Sequence, residues 1–229
     1  MKLLFLLILA CANLISDFGI KDYNYGKVIY QVSISKETLE KGKANPKLRR
    51  LFKNASDVEY QLMFNRNESE YKKIKAMKSD AESLFNITEV EAGGKNVFYY
   101  NLSTKENVYS KSLGNNIYLI TRPTHGWKIT KKSKTINGYN CMLAILLNSK
   151  KEETNITAWF TPQIPLGYGP KNYNGLPGLI LELNSGRATY QAIKINLSNK
   201  NIKIRKPKNG IKLSYKEFKN RFKGIFDDN

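Results

Sequence analysis

The sequence predicts a mainly β protein of the α+β kind: a curved antiparallel sheet or partial barrel, a few short helices, and one long Pro/Gly-rich ordered loop. Three observations carry that expectation. About ten short apolar or alternating runs are separated by turn signals, as in an antiparallel sheet. Helical spacing shows only in brief stretches. One segment, residues 162–178, is too long for a turn and too apolar and aromatic for a solvated linker.

In chain order, Met1-Lys2, the apolar run Leu3–Leu9 and the small or polar Ala10, Ala12 and Ser16 read as a secretory signal over residues 1–16. Cleavage near Ser16–Asp17 is the first reading, and a lipid-anchored Cys11 after Ile8-Leu9-Ala10 is the lesser alternative. Residues 17–229 then make a single domain in the periplasm or cell envelope. Lys27–Ser35 alternates Val28, Tyr30, Val32 and Ile34 with polar partners, the period of a half-buried strand. Asn45–Asn54 reads as a short helix after Pro46. Val58–Asn65 sets Tyr60, Leu62 and Phe64 on one face, and Glu68–Met77 is its antiparallel return. Ser79–Phe85 reads as a helical turn, with Glu82 at the capping-box position. Glu89 and Glu91 alternate with Val90 and would share a strand face. Gly93-Gly94 turns the chain into a hairpin of Val97–Asn101 and Glu106–Ser110. Asn115-Asn116 leads into Ile117–Thr121. Trp127–Thr130, Cys141–Asn148, Ile156–Thr161, Leu179–Leu183 and Ala188–Leu197 complete the strands. Ser214–Phe226 ends the chain as a helix, with Phe218, Phe222 and Ile225 at helical spacing behind a Ser214/Glu217 capping box.

The formal charge of +19 argues against nucleic acid once its distribution is read. Nearly all the excess is lysine, scattered along the whole length with no interleaved recognition motif. Such a scattered field reads first as a merely solvated surface, with anionic lipid or glycan, met as a peripheral membrane contact, as the lesser alternative in an envelope. No apolar run other than the leader approaches a membrane span. With Cys11 in the leader, Cys141 has no partner for an intramolecular disulfide. The N-x-S/T sequons at Asn54, Asn67, Asn86, Asn101, Asn155 and Asn196 would mark glycosylation in a eukaryotic secretory protein, although a chain this rich in Asn, Ser and Thr yields several by chance.

Residues 161–183 hold four of the seven prolines and four of the fifteen glycines. Proline fixes φ and glycine frees it, so Pro162, Pro165, Gly169, Pro170, Gly175, Pro177 and Gly178 set the path of the loop. The run Gly175-Leu176-Pro177-Gly178-Leu179-Ile180 resembles the signature of the GLPGLI family. The upstream Ala158-Trp159-Phe160-Thr161-Pro162, Ile164-Pro165 and Gly169-Pro170, and the I-x-G-Y-x-C element Ile136–Cys141, are similar to the same family. The resemblance implies an exported protein of Gram-negative bacteria. It carries over no activity and no catalytic or binding residue.

For chemistry the sequence offers little. His125 and Cys141 are the residue types of a cysteine hydrolase, but their flanks show no nucleophile elbow. They are too few for a zinc site, and no cofactor motif is present. The carboxylates lack the pairing that glycoside hydrolysis needs. The aromatic loop is more informative. Tyr168 and Tyr173 either pack on the sheet or, with Trp159 and Leu176, rim an apolar cavity or partner surface. Glu182 lies out of phase with Leu181 and Leu183, on the opposite face. The main expectation is a binding or carrier module of the cell envelope, gripping an apolar small molecule, a lipid or an envelope protein. The alternative is an envelope hydrolase of unrecognised type.

Overall fold

The computed structural model describes residues 25–74 and 85–223. The leader, most of the predicted Ser79–Phe85 turn and the end of the tail lie outside the described residues. The strands are β1 (Tyr25–Ile34), β2 (Val58–Asn65), β3 (Glu68–Lys73), β4 (Val97–Asn101), β5 (Asn107–Leu113) and β6 (Asn116–Thr121). They continue as β7 (Gly126–Ile136), β8 (Tyr139–Leu147), β9 (Glu153–Thr161), β10 (Leu179–Asn184), β11 (Ala188–Ser198) and β12 (Ile211–Ser214). The short helices are α1 (Lys36–Ala44), α2 (Arg49–Lys53), α3 (Ile87–Ala92) and α4 (Tyr215–Arg221).

All twelve strands join one open sheet in the order β12-β6-β5-β4-β3-β2-β1-β11-β10-β9-β8-β7. It is two meanders, β1 to β6 and β7 to β11, stitched together where β1 pairs with β11. Every pairing is antiparallel except that of β12 with β6.

The connection from β6 to β7 shows how far the sheet rolls. Only Arg122–His125 lie between Thr121 and Gly126, a reach of about 18 Å at full extension. In the sheet order the two strands stand ten steps apart, about 48 Å on a flat sheet. The sheet must therefore curl until its two ends are neighbours. The mainly β, strongly curved architecture expected from the sequence is what forms.

One face of the curl is packed with rings. Val28, Tyr30 and Val32 of β1 and Tyr60, Leu62 and Phe64 of β2 are buried at period two. Tyr60 stacks on Tyr71 and Phe98 on Tyr109, each with centroids 5.3 Å apart, and Tyr71 meets Phe98 edge-on. The tyrosine hydroxyls serve the last turn of α3, where a helix leaves carbonyls without intrahelical donors. Tyr60 donates to Gly94 O at 2.8 Å, Tyr71 to Ala92 O at 3.3 Å and Tyr190 to Glu91 O at 2.6 Å. Three of the fourteen tyrosines are committed to this one buried helix end.

Some local expectations are corrected. Glu89 and Glu91 lie in α3, not on a strand: the Asn86 side chain caps it by accepting from Thr88 N at 3.0 Å, and Gly93 ends it at φ +120. Lys36–Ala44 is helical, started by Ser35 accepting from Thr38 N. Trp127–Thr130 grows into the eleven residues of β7, an edge strand guarded by Lys128, Lys131, Lys132 and Lys134 and by a bulge between Ile129 and Ser133. The capping box at Ser214 and Glu217 forms as the sequence predicts.

Candidate functional site

The loop from Pro162 to Gly178 leaves β9 and returns to β10 by folding back on itself. Leu166 N donates to Ile164 O and Tyr168 N to Leu166 O, both at 2.7 Å, two tight three-residue turns, the first centred on Pro165 with its fixed φ and the second on Gly167. Gly175 N donates to Gly167 O at 3.0 Å and Ile180 N to Tyr168 O at 2.9 Å, tying the arms together and to the first residues of β10. Gly175 sits at φ +90, where a side chain is strained. Gly178 is required for space: a Cβ there would run into the Thr161 carbonyl oxygen and stand 2.7 Å from its carbon.

The loop fills the curl instead of rimming it. Tyr168 is 0% exposed, set between Phe64 at 5.6 Å and Tyr100 at 6.2 Å, and Leu176 and Ile164 are buried beside it. Neither Tyr168 nor Leu176 can therefore serve as an open aromatic or apolar rim. Polar anchors come from both ends of the sheet. Asn107 at the start of β5 donates to Asn172 O at 3.5 Å, and Trp127 at the start of β7 donates to Asn174 O at 2.9 Å.

Tyr173 is half-buried and stacks on His125 at 5.5 Å, with Trp127 edge-on to the imidazole at 6.4 Å. Burial, reinforced by Arg122, pushes the His125 pKa down to about 4, so the ring is neutral at neutral pH. Lys171, held at φ 54, donates to Glu91 O at 2.9 Å, and burial lowers its pKa to about 8. This arrangement ties loop to helix.

Trp159 and Glu182 lie elsewhere. Phe160 is buried, so Trp159 points to the opposite, outer face of β9. A bulge between Ile180 and Glu182 inserts Leu181, which turns Glu182 out of the interior and pairs it with Trp159 across the strands. Lys134 of β7 completes the group. Its ammonium lies 4.5 Å from the Trp159 ring centroid and 2.8 Å from Glu182 Oε2. A half-buried indole, a cation and a carboxylate thus stand together on the solvent side, and they are the candidate site. The five residues expected to bind do not converge: Trp159 and Glu182 are brought together outside, Tyr168 and Leu176 fill the inside, and Tyr173 stays with His125.

Part of the chain matches a family. Residues 147–182 match the model of a family described as "Protein of unknown function (Porph_ging)", a stretch that covers β9, the loop and Glu182. No curated protein matches the chain by sequence. Among solved structures, two crystal forms of PNGF-II, in space groups P21 and C2, are similar in fold at TM-scores of 0.55 and 0.53. Identities are 18% and 16% over 86% of this chain, which spans about a third of each PNGF-II chain, 33% and 32%. The likeness is one of fold.

Lys134 escaped the sequence reading because it lies in a lysine-rich run with no alternation; only its sheet position sets it against Trp159. Cys141 is fully buried, and desolvation raises its thiol pKa to about 11. It pairs with Lys134, toward the far end of the β7–β8 hairpin from His125, which stacks on Tyr173. Cys141→Ser is expected to cost about 1–3 kcal/mol of stability. The native thiol should react with Ellman's reagent only as fast as the protein unfolds; rapid native labelling would show an accessible, activated cysteine instead.

Proposed function

We propose that the chain is an exported binding module of the cell envelope that grips an envelope protein through the outer face of its curved sheet, with Trp159 as the anchor. The observation that carries this reading is the group Trp159, Lys134 and Glu182. A half-buried tryptophan on the outer sheet face is the residue type most enriched in interface hot spots, and the Lys134–Glu182 pair beside it supplies a polar rim. The filled interior supports the same choice, since an apolar small molecule would first have to displace Tyr168 and Leu176. The hydrolase alternative is weakened by the separation of His125 from Cys141. Export rests on the leader at residues 1–16, and membership of the GLPGLI family on the Gly175–Ile180 signature; both belong to this proposal. No helix among the described residues is long and apolar enough to cross a membrane.

The test is cross-linking in intact envelopes followed by mass spectrometry and affinity measurement on the purified partner. Trp159→Ala should cost at least about 2 kcal/mol of affinity, with Trp159→Phe intermediate and the melting temperature of both nearly unchanged. Undiminished affinity in Trp159→Ala would place the interface elsewhere. A small molecule retained through purification and lost in loop variants would favour the carrier reading instead.

A further inference from the structure

The insertion between β1 and β2 has no part in the sheet or in the Trp159 group. Residues 35–57 form the hairpin of α1 and α2, fastened at its base by Ser35 Oγ donating to Gly186 O at 3.0 Å and by Gln31 holding Asp57 at 2.8 Å. Its interior is one ring: Phe52 lies flat on Gly42, where a Cβ would stand 2.6 Å from Cε2. That packing turns the rest of α2 outward. Leu48 and Leu51, three residues apart and so on one side, are each 39% exposed.

Charge surrounds these leucines with one sign. From Lys41 to Ala55 the chain has six cations and no carboxylate. Lys41 is paired with Glu37, and Arg49 Nε donates to Lys43 O at 3.0 Å. Lys43, Lys47, Arg50 and Lys53 have no carboxylate partner among the described residues. Charge of one sign around the leucine pair selects an anionic occupant. A lipid surface accepts both features: leucines enter the acyl boundary while the long cationic side chains reach the headgroups.

We infer that the α1–α2 hairpin docks this protein on an anionic phospholipid surface, with Leu48 and Leu51 inserted and Lys47, Arg50 and Lys53 on the headgroups. This goes beyond the partner reading and does not depend on it.

The sheet is built wholly from residues 25–214, so the test uses the chain from Asp17, free of the apolar leader. Binding to phosphatidylcholine vesicles with and without phosphatidylglycerol is followed by co-sedimentation. The chain should bind only the anionic vesicles, and salt should weaken binding. The pair L48S/L51S and the pair R50E/K53E should each weaken it about tenfold or more with unchanged melting temperature, and Trp159→Ala should have no effect. Failure to bind anionic vesicles overturns the inference. So does full binding by the serine pair, which would mean that scattered lysines alone produce the attraction. Loss of binding in Trp159→Ala would move the lipid contact to the outer sheet face and overturn it as well.

Discussion

Tyr168→Ala should remove about 3–5 kcal/mol of stability, the cost of emptying a fully buried aromatic site. Domains of ordinary stability hold only about 5–15 kcal/mol, so this variant should be partly unfolded at physiological temperature. The informative companion is Tyr168→Phe. The buried Tyr168 hydroxyl has no hydrogen-bond partner among the described residues, nor has that of Tyr100 beside it, and burial raises the Tyr168 phenol pKa. Removing that oxygen keeps the packing and relieves an unpaired polar atom, so Tyr168→Phe should match or exceed the parent by up to about 1 kcal/mol. Urea melts of the two variants check both statements. An unchanged melt in Tyr168→Ala would mean that the ring is not packed in the core.

Gly178→Val should be nearly as damaging, at about 3 kcal/mol, the upper end for overpacking a tight site. The new Cβ meets the backbone carbonyl of Thr161, not the tip of a flexible side chain, so relief requires β9 and β10 to part where Leu179 pairs with Thr161. Gly178→Ala should cost almost as much, because the first carbon already collides. The thermal midpoint of each variant measures this, and a tolerated alanine would show that the loop can shift without loss.

Where apolar residues recur at period two, the sequence was a good guide. Val28 to Ile34 and Tyr60 to Phe64 became β1 and β2, because one face of each strand is wholly buried. The failures have a common physical cause. Glu89 and Glu91 alternate with Val90 like a strand but lie in a helix, whose exit beyond its own caps is also held by tyrosines from β2, β3 and β11, none of them local. Residues Ile211–Ser214 are a strand only because β6 lies beside them in parallel register. The second half of β7 faces solvent and so carries no apolar rhythm. At the site, the phase of Glu182 was legible, whereas its meeting with Trp159 depends on the Leu181 bulge. Whether Tyr168 lines a rim or fills a core depends on how far the sheet curls, which no local pattern encodes.

The seam between β1 and β11 also sets a timetable. Ile34 pairs with Ala188 and Tyr25 with Ser198, so the first of the described strands waits for nearly the last of them. Until then one edge of β1 is bare, the second meander has nothing to join, and the loop carrying Tyr168 has no hollow to enter. Pairings this distant are slow to form, since the intervening chain loses its freedom before the contact repays it. Joining of the two meanders is therefore expected to be the slow step of folding, which the refolding rate of the chain measures.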